Sequence, residues 1–373
     1  MLRVVKKPKY GTRPDITLQI MLMAGELPRS LYPVIQYPST NISTIYNLFG
    51  RFEGLVRLWT DENNPGEKAW RLDASNQNLA FIEKAYGRDL IEEAISATSG
   101  FSYKKWGIQR RQRTAETMFM AHHAGYPVVM YRAAGEKSLR EKTGDMWFSS
   151  RFIKGDYGNG VANMKYWRFT GMITRAGTPY VLYSTGDALM KWSAESELRC
   201  SNVLMRAAKR YDIHCSGNPN DKIDDAIVFG YGETDIPYKY LTETKNHTLL
   251  TLRSGLRCYR NLYYVPMNAN GIRQLQIQLE PDWRMAMTMG FKNLSAVHSR
   301  EACGYDAVDA EGRKVFYFTD GNLNAYGRYM NLTIDDSERH IVVWSWQGPL
   351  MNRLLDKRSI RVTMIDMDLW SEF

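Results

Sequence analysis

The chain has 373 residues, 44% of them hydrophobic, with a formal net charge of +9 and 24% charged residues. That is enough apolar material for a real core, so a disordered chain is excluded, and the length favours two domains, or one large domain with insertions. The four cysteines, Cys200, Cys215, Cys258 and Cys303, are far apart and form no CxxC pair, which excludes a zinc ribbon and a disulfide scaffold. No segment is long and apolar enough to span a membrane, and neither a metal nor a cofactor is expected. The basic residues cluster at Lys6-Lys7-Lys9, Lys104-Lys105 and Arg110-Arg111-Arg113. Such knots suit an acidic protein neighbour or nucleic acid, the former being the simpler reading of a solvated face.

Residues 1–15, basic and carrying Pro8, Gly11 and Pro14, read as an extended N-terminal arm. Residues 16–170 read as an α/β domain, 171–358 as a β-rich (α+β) domain, and 359–373 as a C-terminal strand arm. Ile16–Ala24 reads as the first core strand, although the basic start before it superficially suggests a signal peptide. Gln19, Glu26 and Pro28 argue against that, which points to a cytoplasmic protein. A helix near Ile42–Phe49 has Thr40 or Asn41 as N-cap and Gly50 as its stop. Asp61–Gly66 reads as a loop. Asn76–Ala97 reads as a helix divided by Gly87, and Thr114–His123 as a helix ended by Gly125 before a strand over Pro127–Tyr131. The adjacent His122 and His123 have no carboxylate or cysteine spaced as further metal ligands, so contacts at the helix end explain them better.

The second half carries more β signals. Tyr180–Tyr183 is a strand after the Arg175–Pro179 turn. Asp225–Tyr231 and Tyr238–Lys245 flank a Gly-Glu-Thr-Asp-Ile-Pro turn and read as a hairpin. Leu275–Leu279 and Ile360–Met364 alternate with period two. Ser193–Lys209 is the one clear helix, with Glu195 and Glu197 near its N-terminus, where the helix dipole favours them. Alternation would place Trp344 and Trp346 on one buried sheet face, in preference to a stacking platform for bases or sugars.

Four landmarks follow one another in the first half. They are the glycine turn Ala24-Gly25 leading to Leu27-Pro28, the helix end Phe49-Gly50, the unit Ala121-His-His-Ala-Gly125 with Val128–Arg132, and the turn Gly155-Asp-Tyr-Gly158-Asn159. In this order they resemble the N-terminal half of the tail-sheath proteins of contractile phage tails. The resemblance stops near residue 165. It departs from the family in lacking a Pro-Gly-Val opening, in the length between Gly50 and Thr114, and in a tyrosine where the last turn usually has tryptophan. It implies a virion structural subunit, a sheath or an associated neck or baseplate component. Such a subunit is assembled in the host cytoplasm and has copies of itself and other virion tail proteins as partners. The C-terminal Ile360, Val362 and Met364 would then form the apolar face of an assembly arm that adds to a neighbour's sheet; the alternative is the last strand of the protein's own sheet.

A second class is an enzyme. In the hairpin reading, Asp225 lies across from Glu243, with Lys245 on the same face. Two carboxylates beside a lysine can hold Mg²⁺ and orient a water for phosphodiester cleavage, as in restriction-type endonucleases, and the positive charge would suit DNA. An ordinary cross-strand salt bridge is the simpler explanation of the same residues.

Overall fold

The computed structural model describes residues 6–39, 41, 43–61, 64–88, 90–91, 105–126, 147–149, 169–175, 178–186, 204, 223–242, 259–280 and 282–372. Helices and several antiparallel or mixed sheets make it an α/β mixture. The chain forms two compact units, Met1–Ser184 with Cys200–Ile223, and Thr185–Arg199 with Asp224–Phe373.

In the first unit, Ile16–Ala24 is not a strand. It belongs to helix α1, Arg13–Ala24, which also takes the last residues of the expected arm. Pro14 sits in its first turn, where a missing N–H costs nothing. Gly25 closes it with φ +88° and donates its N–H to Met21. The misreading has a physical cause: every residue from Asp15 to Ala24 is buried. A helix buried all round has no polar stripe to reveal the 3.6-residue period.

β1 (Leu27–Pro28) follows, then α2 (Tyr32–Gln36) and α3 (Ser43–Gly50). The side-chain amide oxygen Oδ1 of Asn41 accepts from the Ser43 N–H at 3.1 Å, as expected of a residue at a helix start. β2 (Val56–Asp61) and β3 (Asn64–Leu72) pair antiparallel, so the expected loop at 61–66 is shorter than its composition suggests; the sheet order is β1-β3-β2. α4 (Asn76–Tyr86) starts at Ser75, whose side chain accepts from the Asn78 N–H, and stops at Gly87, φ +91°. α5 (Lys105–His123) begins earlier than the expected Thr114. β4 (Trp147–Ser149), β5 (Gly171–Arg175) and β6 (Thr178–Gly186) follow, with β4–β5 and β5–β6 antiparallel. Phe49 stacks on Trp70 at 4.5 Å between ring centroids, and the Trp70 indole N–H donates to the Tyr32 hydroxyl.

The second unit opens with β7 (Asp225–Gly230), α6 (Asp235–Thr242) and β8 (Asn261–Pro266). β7 and β8 run parallel, from Asp225 opposite Asn261 to Gly230 opposite Pro266. The expected hairpin therefore does not form: Tyr238–Thr242 is helical. The Tyr238 N–H bonds to the Thr234 carbonyl, and Asp235 and Pro237 fall in the first turn, where both are favourable. The Thr-Asp-Ile-Pro segment is a helix start and not a hairpin turn.

α7 (Ala269–Gln278) overturns the strand expected at Leu275–Leu279. The alternation comes from the half-buried Gln276 and Gln278, while the helical face is carried by the buried Ile272 and Leu275; just before the segment, the buried Gln274 donates its amide N–H₂ to the carbonyls of Tyr264 and Asp320. Next come α8 (Trp283–Gly290), β9 (Leu294–Ala296), α9 (Arg300–Cys303), β10 (Ala307–Asp309) and β11 (Lys314–Tyr317). α10 (Leu323–Met330), β12 (Arg339–Trp344), α11 (Gly348–Leu354) and β13 (Arg361–Ile365) complete the unit. Strands β9 to β13 form a five-stranded sheet with the order β13-β12-β11-β10-β9. Its β11, β12 and β13 are parallel, and β9, β10 and β11 antiparallel. Parallel neighbours need crossovers, and α10 and α11 supply them.

One face of this sheet packs Ala307, Val315, Tyr317, Val342, Trp344 and Ile365 against Ile277, Trp283 and Met287 from the helices. Met367 and Trp370 from the C-terminal 3₁₀ turn join the same core. On α10, Tyr329 stacks on Phe316 at 4.9 Å. Residues 359–373 are thus part of the second unit, and Ile360–Met364 contribute to the last strand of the protein's own sheet. The two tryptophans do not share a strand face: Trp344 ends β12, and Trp346 lies in the following 3₁₀ turn.

Candidate functional site

The carboxyl ends of parallel strands are where α/β sheets usually hold ligands. At β7 and β8 the protein's own side chains occupy that position. The Tyr264 hydroxyl donates to the Gly232 carbonyl, and Glu233 accepts from the side-chain amides of Asn268 at 2.6 Å and Asn270 at 2.9 Å. A Cβ on Gly230 would meet the Tyr264 hydroxyl at 2.5 Å, so glycine is needed for this packing.

The polar chemistry lies instead across the end of the β9–β13 sheet where β11, β12 and β13 begin, and where the close of β10 and the first residues of β12 and β13 bring together residues far apart in sequence. Asp309 ends β10 and shapes the turn into β11. One of its oxygens accepts from the Glu311 and Arg313 N–H groups, the other from the Arg313 guanidinium at 2.8 Å. His340, near the start of β12, is buried. Its Nδ1 is 3.0 Å from Asp309 Oδ2, and its Nε2 is 2.8 Å from the Thr363 hydroxyl on β13.

Electrostatics assign the protons. Burial alone would raise the Asp309 carboxyl, but the Arg313 amide and guanidinium and His340 outweigh it and hold it below the usual carboxylate range. Burial pushes the His340 imidazole down, and Arg361 and Arg313 add to that against the attraction of Asp309. The carboxylate can only accept, so Nδ1 carries the proton; neutral Nε2 then accepts from Thr363 Oγ–H. Arg361 is on the same strand face as Thr363, two residues away. Its side chain is 50% exposed, and Glu311 is its nearest acidic partner at 3.7 Å.

A second ionic cluster lies deeper. Asp320 is fully buried and paired with Arg284; Asp306 is paired with Arg300 at 2.9 Å and Arg284 at 3.4 Å. Two carboxylates and two guanidiniums balance in charge, which makes the cluster a structural knot joining α8, α9, β10 and the turn after β11.

The residues picked from sequence are scattered. Asp225 begins β7, where the Asn261 amide donates to it at 3.0 Å; burial raises its carboxyl to about 6. Because Tyr238–Thr242 is helical, the hairpin register that set Asp225 across from Glu243 is lost. Glu243 and Lys245 themselves lie outside the described residues. Among the landmark positions, Gly125 has φ of +92° and ends a helix as expected, whereas Gly25, expected to turn the chain after a strand, has φ of +88° and ends helix α1. Gly50 is the last residue of α3 without a positive φ, and the left-handed turn falls at Gly54. Gly155, Gly158, Asn159, the strand at Pro127–Tyr131 and the helix at Ser193–Lys209 lie outside the described residues, Leu204 apart. His122 and His123 cap α5; burial lowers each to about 4, and the His123 ring packs on Phe119 and Tyr37.

Ile360, Val362 and Met364 do not form one uniform apolar face. Ile360 is buried, Val362 half-buried, and Met364 47% exposed while its sulfur covers Gly348. The His340 group escaped sequence reasoning because its members are 31 and 23 residues apart, on strands that only the sheet order makes neighbours. Among the described residues no set of histidine, cysteine and acidic side chains is placed to hold a metal, and no helix is long and apolar enough to cross a membrane. No family model, no curated protein and no solved structure matches this chain.

Proposed function

We propose that the chain is a structural subunit that associates with further copies of itself through the ends of its second-unit sheet. The observation that carries this reading is the sheet order: β13 stands at one end and β9 at the other. End strands present backbone groups to which another chain can add. The two ends differ in length and sequence while their strands run in the same direction, so pairing β13 of one copy with β9 of the next is a parallel, head-to-tail contact. Repeated, such contacts give rings or helical tubes. The exposed Met364 and Leu369, at and just beyond β13, supply apolar contact. Resemblance to tail-sheath proteins gives the narrower reading, a component of a contractile phage tail; Phe49-Gly50 and the left-handed Gly125 are the landmarks that support it, while the helical Ile16–Ala24 does not.

Negative-stain microscopy and light scattering of the purified chain test the proposal. Rings, tubes or discrete oligomers are expected, and a monomer at tens of micromolar would overturn it. Met364→Lys is the informative variant: it should abolish assembly with little loss of fold. Deleting residues 359–373 would not serve, because Ile365, Met367 and Trp370 are core residues.

A further inference from the structure

We propose that Asp309, His340 and Thr363 form a nucleophilic relay that cleaves small carboxylic esters, with Arg361 as the cation facing the developing oxyanion. The inference is independent of assembly. It rests on three features of this end of the sheet: the order of the contacts, the proton positions they enforce, and access.

The order is carboxylate, imidazole, hydroxyl, at 3.0 Å and 2.8 Å. Asp309 is held on both oxygens by the turn and by Arg313, so the imidazole is fixed by a group that is itself fixed. Because Nδ1 donates to the carboxylate, Nε2 is left as the base, and it already receives the Thr363 proton. This is the arrangement in which a histidine activates a hydroxyl. Access differs along the relay: Asp309 and His340 are buried, whereas Thr363 is only half-buried, on the end strand β13. Arg361 flanks Thr363 on the solvent side. Its cation can stabilise negative charge on an acyl oxygen, and it favours substrates that carry an acidic group.

In the reaction, Thr363 Oγ forms a bond to the acyl carbon while its proton passes to His340 Nε2. The tetrahedral oxyanion collapses, the ester C–O bond breaks, and the departing alkoxide takes that proton. Water, deprotonated by the same nitrogen, then cleaves the acyl-threonine to a carboxylic acid and restores the hydroxyl. Asp309 stays ionised throughout. The charged and titratable groups facing His340 are Asp309, Arg313, Arg361 and, through the arginines, Glu311. The rate should therefore fall on acidification as His340 becomes protonated.

The full-length chain is incubated with p-nitrophenyl acetate and, separately, with a fluorophosphonate probe followed by peptide mapping. The expected results are a phosphonyl adduct on Thr363, its loss in Thr363→Val, and ester hydrolysis reduced about a hundredfold in His340→Gln. Thr363→Ser, which keeps the hydroxyl and removes only a methyl group, should retain adduct and turnover, and so separates chemistry from folding. Absence of the Thr363 adduct in the unmodified chain, or hydrolysis unchanged in Thr363→Val, overturns the proposal.

Discussion

The two units bury carboxylates in contrasting ways. In the first, Asp15 on α1 is surrounded by neutral donors, the Tyr86 hydroxyl at 2.6 Å, the Gly11 N–H at 3.0 Å and the Gln19 amide at 3.2 Å. Burial raises its carboxyl despite these bonds. In the second, Asp306 and Asp320 share the guanidiniums of Arg284 and Arg300. The first unit does have one ionic counterpart, Glu26 with Arg71 at 2.6 Å and Arg111 at 3.4 Å. The contrast teaches that a buried carboxylate can act either as a hydrogen-bond hub that tolerates neutralisation or as a charge whose partners depend on it. Only the second kind leaves an uncompensated charge when it is removed.

The largest expected effect follows from that difference. Asp320→Ala should destabilise the second unit by about 3–5 kcal/mol, because Arg284 would lose its strongest partner in a buried site. Asp15→Asn should cost about 1 kcal/mol or less, since its partners are neutral. Urea titrations of both variants measure the gap, and equal losses would break the comparison.

Close backbone packing gives the next effect. A Cβ on Gly271 would lie 1.8 Å from the Pro266 carbonyl oxygen, whereas one on Gly50 meets nothing within 4 Å. Gly271→Ala should cost about 2–3 kcal/mol by forcing α7 away from β8. Gly50→Ala should be near neutral. Gly125→Val should cost more than about 1 kcal/mol, because φ is positive there and a β-branched side chain resists that conformation. Thermal melts rank the three.

Acid sensitivity separates the units again. His122 and His123 titrate at about 4 in the folded first unit and near 6.5 when unfolded. A depressed folded value means that their contribution is complete above about pH 6.5 and is lost as pH falls towards 4. Their part-exposure limits the loss to on the order of 2 kcal/mol for the pair. His122→Gln/His123→Gln should flatten the pH dependence of unfolding over that window.

The smallest effect has the opposite sign. Asp225 is raised to about 6, so its ionisation at neutral pH opposes folding of the second unit. Asp225→Asn should stabilise by about 1 kcal/mol at pH 7.5, with the gain vanishing near pH 4. A loss at pH 7.5 would mean that the charge is needed there.

Much of the fold was legible where one side of an element faces water or where a glycine must take a left-handed turn. α3, α4, the end of α5 with Gly125, and β13 follow from such signals, while β6 and β7, buried almost throughout, follow from short apolar runs beside turn residues. α1 was not legible, since complete burial erased its polar stripe, and α7 was not, since the half-buried Gln276 and Gln278 imitated strand alternation. Composition and spacing by themselves determined a globular α/β mixture, the helix ends at Gly50 and Gly125, a break at Gly87, and the absence of zinc-ribbon or disulfide spacing. Only the tertiary structure decided that β7 pairs in parallel with β8 and not with a hairpin partner. It alone seated the C-terminal strand in the second unit's own sheet and set Asp309, His340 and Thr363 in line. The reason is physical: local sequence biases each element's backbone, but strand order is chosen by which hydrophobic faces can be buried together, and that choice is made by the whole unit.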